Sequence, residues 1–328
     1  MITMKKSPER DFIILNLTDP QMRNEEWEEG HEHRRIFTDT VTELVDRVHP
    51  DLITLSGDVA DAGQYAAYEA LADFMDRFAI PWAPIWGNHD NQYGPEAVER
   101  VVEGYENHPY FLYERGDAAL GNGNYVIRIE EEGKIIEGLI LMDTHHTISY
   151  TNAEGKNCRA LDKLWPEQLS WYERQIRALA DEGCTDTTLI IHIPIHAYRL
   201  ASQAVFRDDI NIRQAPLEMF LSGECQREAY PESVGVQFDA VNTPMADDGV
   251  MDVITRLHST KTIIAGHDHK NTWMIPYQGV RLAYGLKTGA GCYYDPRLNG
   301  GTVIRVTSDG VAEVSHEFVD MTPAGEQG

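Results

Sequence analysis

The chain has 328 residues, of which 42% are hydrophobic and 25% are charged, a composition typical of a globular protein with a sizeable core. Its 28 Lys and Arg against 53 Asp and Glu give a formal net charge of −25, which argues against general affinity for nucleic acid or acidic membranes. The four cysteines are widely spaced, and we expect reduced thiols. The amino terminus is polar and no apolar stretch approaches a membrane span, so we predict a cytoplasmic protein.

The first third of the chain alternates predicted strands and helices. Apolar runs predict strands over 12–18, 52–55 and 80–86, and amphipathic patterns predict helices over 35–48 and 64–78. This β-α-β-α-β order favours a parallel sheet with right-handed crossovers. We predict a loop for the charged segment 23–34 and interpret its His31-Glu32-His33 as a solvated face rather than as a metal site.

The remainder of the chain is richer in predicted strands. Helices are predicted over 165–181 and 247–257, and strands are predicted over 123–129, 135–142, 187–191, 272–276, 280–284, 302–306 and 311–318. No internal repeat or low-complexity linker is visible, so we predict one domain over residues 1–328. The segment 198–247 has little periodicity, and we interpret it as a lid over a cleft, with an irregular surface excursion as the alternative.

Polar side chains of the kind that bind metals follow several predicted strands. Gly57-Asp58, Gly87-Asn88-His89-Asp90 and Gly266-His267-Asp268-His269 each end an apolar run, and Asp19 and His192 end two others. Open α/β sheets bind ligands at the carboxyl ends of their strands. Imidazole, carboxylate and amide donors without a thiolate suit first-row divalent metals, and there are enough donors for two ions if one carboxylate bridges them. A purely structural role would leave several buried charges unpaired, which is costly.

Five ordered blocks resemble those of calcineurin-like metallophosphoesterases over about residues 12–306. They are Asp19-x-Gln21, Gly57-Asp58-x-x-Asp61, Gly87-Asn88-His89-Asp90, His192 and Gly266-His267-Asp268-His269. The resemblance implies a four-layer α/β/β/α sandwich with mixed sheets. It also implies a dimetal phosphohydrolase that cleaves a phosphate monoester or small phosphodiester by in-line attack of a metal-bridging hydroxide. The stretches 165–168 and 285–291 further resemble small purple-acid-phosphatase-like members.

The resemblance also implies roles for individual residues. Asp58 would bridge both ions, Asp19 and His269 would hold the first, and the second would be held by Asn88, His192 and His267. The predicted metal ligands are Asp19, Gln21, Asp58, Asn88, His192, His267 and His269. His89 would contact the phosphate and protonate, or stabilise, the leaving oxygen, and Asp61 or Asp90 would hold its ring in one tautomer.

Two positions depart from the family pattern. Gln21 stands where a metal-binding histidine is usual, and its neutral amide is a weaker donor, so the first site is expected to bind more loosely or to accept a different metal. Asp61 stands where purple acid phosphatases have a tyrosine, so we predict no purple Fe(III) charge-transfer band. The cofactor is therefore expected to be two divalent ions, with Mn, Fe, Zn, Co and Ni left open.

Substrate contacts are predicted only from proximity to these motifs. The candidates are Asn91, His196, Tyr198 and Asn271. His145 and His146 either border the substrate or are hydrogen-bonded loop histidines. We expect a small phosphoester as the partner and no membrane association.

Two alternative functions remain at this point. One is a non-catalytic metal-binding scaffold of the same fold, which the weaker donor Gln21 suggests. The other is a nuclease, which fits the chemistry but not the acidic surface. The presumed lid does not supply a basic groove, because its Arg199, Arg207 and Arg213 stand beside Asp208, Asp209 and Glu218.

Overall fold

The computed structural model describes residues 1–322, which form two sheets, a short hairpin and the helices that cover them. The strands in chain order are β1 (Ile2–Lys5), β2 (Phe12–Leu17), β3 (Leu52–Ser56), β4 (Trp82–Ile85), β5 (Tyr125–Glu131), β6 (Lys134–Leu141), β7 (Thr147–Thr151), β8 (Asn157–Leu161), β9 (Thr187–Ile191), β10 (Thr260–Ala265), β11 (Met274–Tyr277), β12 (Val280–Tyr284), β13 (Gly300–Thr307) and β14 (Gly310–Phe318). The α-helices are α1 (Glu32–Val48), α2 (Tyr65–Asp76), α3 (Pro95–Tyr105), α4 (Pro166–Asp181), α5 (His196–Val205), α6 (Leu217–Leu221) and α7 (Val250–Leu257).

Both large sheets are mixed. The smaller has the order β14-β13-β2-β3-β4, in which β2, β3 and β4 are parallel and β13 is antiparallel to β2. The larger has the order β1-β5-β6-β9-β10-β12-β11, with β6, β9, β10 and β12 parallel. Parallel neighbours end at the same edge of a sheet, so the loops after β2, β3 and β4 lie together, as do those after β9 and β10.

The two sheets pack face to face, and helices cover both outer faces. The central core joins residues of the smaller sheet, such as Ile14 and Ile85, to residues of the larger sheet, such as Ile127 and Ile264. A second cluster places α1, α2 and α3 on the smaller sheet, and a third places α4, α5 and α7 on the larger. The resulting layer order α/β/β/α confirms the predicted fold class.

The structure also contains elements that the sequence interpretation missed. β1 lies at the edge of the larger sheet, and its residues alternate between half-buried and exposed. β7 and β8 form a separate hairpin. The supposed loop 23–34 ends earlier than predicted, because α1 begins at Glu32 with His31 as its N-cap. α3 was missed although Val98, Val101, Val102 and Tyr105 form its buried face.

The segment 198–247 is more regular than predicted. α5 and α6 lie within or at the start of it, and Phe206, Phe220, Cys225 and Val236 belong to the core of the larger sheet's outer face. Two isolated bridges, Val234–Met274 and Gln237–Asn271, attach it beside β11. Its role as a lid stays a prediction.

Within residues 1–322, every helix is too short or too polar to cross a membrane. The four cysteines are all free thiols, as expected from their spacing.

Candidate dimetal centre

Six of the seven predicted metal ligands converge where the two sheets meet. The smaller sheet supplies Asp19 after β2, Asp58 after β3 and Asn88 after β4, and these offer only oxygen donors. The larger sheet supplies His192 after β9 and His267 and His269 after β10, and these offer only nitrogen donors. Every donor therefore follows the carboxyl end of a parallel strand, where open sheets place their ligands.

The donor atoms lie close together. His192 Nε2 is 3.2 Å from Asp58 Oδ2 and 3.2 Å from Asn88 Oδ1, and His269 Nε2 is 3.3 Å from Asp19 Oδ1. One ligand atom from each of Asp58, His192 and His267 lies within 4.8 Å of the others. The backbone N–H of His267 donates to Asp19 Oδ2 at 3.0 Å, which joins the two groups.

Backbone carbonyl groups orient two of the three imidazoles. His192 Nδ1 donates to Ser56 O at 2.8 Å, and His269 Nδ1 donates to Tyr293 O at 2.8 Å. In each ring this bond favours a proton on Nδ1 and directs Nε2 toward a carboxylate. Such an outer hydrogen bond on the second ring nitrogen is usual in metal-ligating histidines.

The electrostatics of the cluster fit a cation. Burial opposes ionisation of His192, but the Asp58 carboxylate raises the pKa of His192 to about 10. Burial likewise opposes ionisation of Asp19, yet His269 and His192 hold the pKa of Asp19 below its ordinary value. Burial and the charge of His192 lower the pKa of His267 to about 4, so this ring is neutral and able to ligate. A divalent cation would replace the protons that otherwise stabilise the buried carboxylates.

The glycine of each motif makes room for the donors. A Cβ at Gly87 would lie 2.1 Å from Asp58 Oδ1, and a Cβ at Gly266 would lie 2.2 Å from Thr18 Oγ1. Asp19, Asp58 and His267 themselves have positive φ angles of 53°, 48° and 78°. Non-glycine residues in this region are strained and tend to cluster at functional sites.

His89 lies at the exposed side of the cluster. Its backbone N–H donates to Asp58 Oδ1 at 2.8 Å, and its ring is 38% exposed. Nδ1 donates to Asp61 Oδ1 at 2.8 Å, and Asp61 Oδ2 accepts from Arg23 Nε at 3.1 Å. The contact therefore leaves Nε2 of His89 free to face a ligand.

Of the two carboxylates predicted to orient His89, only Asp61 contacts the ring. Asp90 is buried and instead accepts from the backbone N–H groups of Gly87 and Val59 and from the Tyr68 hydroxyl. Burial and the nearby Asp58 raise the pKa of Asp90 to about 7. Asp90 therefore fastens the loop after β4 to the loop after β3.

Gln21 contacts this network through Asp61. It is buried, and its one side-chain hydrogen bond within the described chain runs from Nε2 to Asp61 Oδ1 at 3.4 Å. Its backbone N–H donates to Asp58 O at 2.8 Å, so the residue stays next to the cluster. Ligation by Gln21 stays a prediction.

Comparisons with known proteins agree with this geometry. The family model described as calcineurin-like phosphoesterase matches residues 13–271. The chain belongs to the calcineurin-like phosphoesterase family. Its curated relatives include "Probable inactive purple acid phosphatase 29" of Arabidopsis thaliana, 21% identical over 74% of this chain and 61% of the relative. Another is the phosphatase DCR2 of Saccharomyces cerevisiae, 24% identical over 92% of this chain and 52% of the relative. The chain thus spans between half and two thirds of each relative's length.

A solved structure shares the fold. A dimetal phosphatase from Danio rerio superposes with a TM-score of 0.57 at 12% identity, covering 94% of this chain and 98% of that one. The two proteins share the arrangement of helices and strands.

This member of the family has a cavity of about 200 Å³ between the segment that follows His89 and the loops that carry Asn122 and His145. Asn91 borders it, donating to Asp143 Oδ1 at 2.9 Å and accepting from Asn122 Nδ2 at 2.6 Å. His145 and His146 both line the cavity, and His145 is also hydrogen-bonded to Gln168 and stacked on Trp165 with ring centroids 3.9 Å apart. Asn91 is therefore near the cluster but already bonded to neighbours.

The other predicted substrate contacts lie differently. Tyr198 does not reach the cleft: it is fully buried, and its hydroxyl oxygen lies 2.9 Å from the carbonyl oxygens of both Ile263 and Ala283, which share its one hydrogen. Asn271 is buried and accepts from the Asp239 N–H at 2.9 Å, so it supports the neighbouring loop. His196 begins α5 half-buried, and its Nδ1 has no hydrogen-bond partner among residues 1–322.

Two residues near the centre of this family member were not singled out from the sequence. Lys287 is fully buried, donates from Nζ to Asp19 O, and lies in the quoted stretch 285–291. Tyr293 stacks on His269 with ring centroids 4.2 Å apart, and its hydroxyl donates to Asp239 at 3.1 Å. Only the glycine-rich character of 285–291 pointed to this part of the chain.

Proposed function

We propose that the chain is a dimetal phosphoesterase that hydrolyses a phosphate monoester or a small phosphodiester. The observation that carries the proposal is the pair of carboxylate–imidazole contacts, Asp58 with His192 and Asp19 with His269. In both, the second ring nitrogen is already bonded to a backbone carbonyl, so Nε2 is available as a ligand. Family membership supports the same reaction class.

The donor set would hold two ions. Asp19 and His269 would hold one, Asn88, His192 and His267 would hold the other, and Asp58 would bridge them. Two such cations supply an activated water and neutralise the negative charge of the reacting phosphoryl group. Imidazole, carboxylate and amide donors favour first-row metals such as Mn, Fe, Zn, Co or Ni.

His89 is placed to handle the leaving group. With Nδ1 donating to Asp61, a protonated His89 presents Nε2–H, which can pass a proton to the departing oxygen. Asp61 stabilises the imidazolium, and Arg23 holds Asp61 in place. Proton transfer to the leaving oxygen avoids the release of an unstable alkoxide.

The surroundings favour a small ester over a nucleic acid. The cavity of about 200 Å³ that Asn91 borders would receive only a modest alcohol group. The net charge of −25 opposes binding of long polyanions. Of the basic residues in 198–247, Arg207 is paired with Asp209, and Arg199 donates to Thr243 O.

A metal analysis joined to an ester panel tests the proposal. The protein is loaded with each of Mn, Zn and Fe in turn, and the bound metal is counted. Hydrolysis of generic monoesters and diesters such as p-nitrophenyl phosphate and bis-p-nitrophenyl phosphate is then measured. We expect two ions per centre and turnover of at least one ester class.

Two variants separate metal binding from proton transfer. Asp58→Asn is expected to lose both bound metal and turnover. His89→Ala is expected to keep the metal while kcat falls by roughly 10²–10⁴-fold. Retained turnover in both variants would rule out the mechanism.

The second candidate is a metal-binding scaffold without turnover. One observation favours it: Gln21 stands where a metal-binding histidine is usual, and its amide contacts Asp61. A protein that holds two ions with every metal tried, yet cleaves no monoester or diester, would establish the scaffold instead.

A further inference from the structure

We propose that Glu69, Asp73 and His108 form a separate metal site, which takes a first-row divalent cation such as Zn²⁺ and links α2 to the segment that follows α3. One ligand atom from each of the three side chains lies within 4.8 Å of the others. His108 Nε2 is 3.5 Å from Glu69 Oε1. Ligand atoms that lie about 2.0–2.2 Å from a common Zn²⁺ are less than 4.8 Å apart, so small side-chain rotations would bring these three atoms to ligand distance.

The histidine is oriented for ligation. The His108 side chain is only 8% exposed, and its Nδ1 donates to Asp76 Oδ2 at 2.7 Å. Asp76 is itself fixed, because its Oδ1 accepts from Trp82 Nε1 at 3.3 Å. This carboxylate–histidine arrangement is the one that commonly supports a zinc ligand from behind.

The other ring nitrogen has no hydrogen bond. Within residues 1–322, Nε2 of His108 has no hydrogen-bond partner and is directed toward Glu69 and Asp73. An imidazole nitrogen that faces two carboxylates without a hydrogen bond is available to bind a cation. The oriented imidazole, more than the two acids, indicates a cation.

The two carboxylates lie one helical turn apart. Glu69 and Asp73 are at i and i+4 on α2, where like charges repel and weaken the helix. Both are exposed, which gives a cation access from solvent. A bound cation would attract both carboxylates and so offset their mutual repulsion.

This site is distinct from the dimetal centre. Its supporting residue Trp82 begins β4, whereas Asn88 of the dimetal centre follows the end of that strand. The two sites share no residue. One imidazole and two carboxylates fit Zn²⁺ well and leave a fourth position for water.

Zinc counting in matched variants tests the site. The double variant Glu69→Gln/Asp73→Asn is compared with Asp39→Asn/Glu43→Gln, which changes the same kind of exposed pair on α1. After dialysis against Zn²⁺, we expect the first to hold one ion fewer per chain than the control and the wild type. Zn²⁺ should also raise the Tm of the control more than that of the first variant.

A second variant and a second readout complete the test. His108→Gln should lose the same ion, with circular dichroism used to verify folding. Turnover and the metal bound at Asp58 should stay unchanged in the Glu69→Gln/Asp73→Asn variant, which keeps failure of this site separate from failure of the dimetal centre. Equal zinc content in that variant and its control would overturn the proposal.

Discussion

Individual side chains at the candidate dimetal centre are held by neighbours that are distant in sequence. Asp61 contacts His89, Arg23 contacts Asp61, and Tyr293 covers His269. Sequence alone predicted that one of two carboxylates would orient His89 but left the choice open. The choice depends on how the loops after β3 and β4 fold back, which local sequence does not encode.

Asp61→Asn should lower turnover by removing the negative charge that supports the His89 imidazolium. Loss of such an outer carboxylate typically costs about 10–100-fold in activity. We expect the loss in kcat rather than in KM, together with an altered pH profile. Asp11→Asn, which breaks a surface pair with Arg305, is the control. An unchanged kcat and pH profile would show that Asp61 does not act through His89.

Tyr293→Ala should weaken metal binding at His269, because it removes the ring stacked on that imidazole. Tyr293→Phe keeps the ring and loses only the hydroxyl bond to Asp239, so it should stay close to the wild type. Metal titration of both variants, expected to differ by about 10-fold in affinity, measures this. Equal affinities would mean that stacking does not position His269.

At the scale of elements, the site depends on tight turns after parallel strands. These turns were predictable because Gly57, Gly87 and Gly266 each end an apolar run and precede a donor. Tyr198 shows that closeness in sequence to a motif can mislead. It lies two residues after His196 on α5, but the helix turns its side chain into the core against the sheet. Lys287 was not predictable, because its role depends on a backbone carbonyl 268 positions away.

Gly87→Ala should disable the centre. The new Cβ would overlap Asp58 Oδ1, and the turn must shift to relieve the contact. We expect loss of the bridging geometry, seen as reduced metal content and turnover, and destabilisation by about 1–3 kcal/mol. Gly104→Ala in α3 meets only a 3.4 Å contact and should be neutral or slightly stabilising. Full metal content in Gly87→Ala would contradict this.

For the molecule as a whole, the alternation of strands and helices predicted the α/β class, and the motif resemblance supplied the four layers. Edge elements were missed, since the strand Ile2–Lys5 buries too little apolar surface to leave a pattern. Buried ionisable groups away from the site were missed for another reason. Glu137 sits in β6 with neither carboxylate oxygen hydrogen-bonded among residues 1–322, and nothing in its neighbours marks it as buried.

Glu137 should make the stability of the fold depend on pH. Burial raises the pKa of its carboxyl to about 8, above its ordinary value of 4.5, so the folded state prefers the protonated form. The contribution of Glu137 to the free energy of unfolding is fully present below about pH 4.5. It is lost as pH rises toward 8, by an amount on the order of a few kcal/mol. Glu137→Gln should therefore be more stable than the wild type at pH 8, with the gain shrinking toward pH 5.

Urea unfolding at several pH values measures this difference. Glu317→Gln, an exposed change on β14, should show no such trend. A pH-independent difference between Glu137→Gln and the wild type would contradict the assignment.

The separation of oxygen donors on one sheet from nitrogen donors on the other has a consequence for metal choice. Each ion would act as a cross-link whose bond lengths are set by the spacing of two independent layers. We therefore expect the packing between the two sheets to influence which cation the site prefers. Trimming Ile190 or Ile264, which pack in the central core between the sheets, should shift the measured preference between small and large cations before it affects turnover.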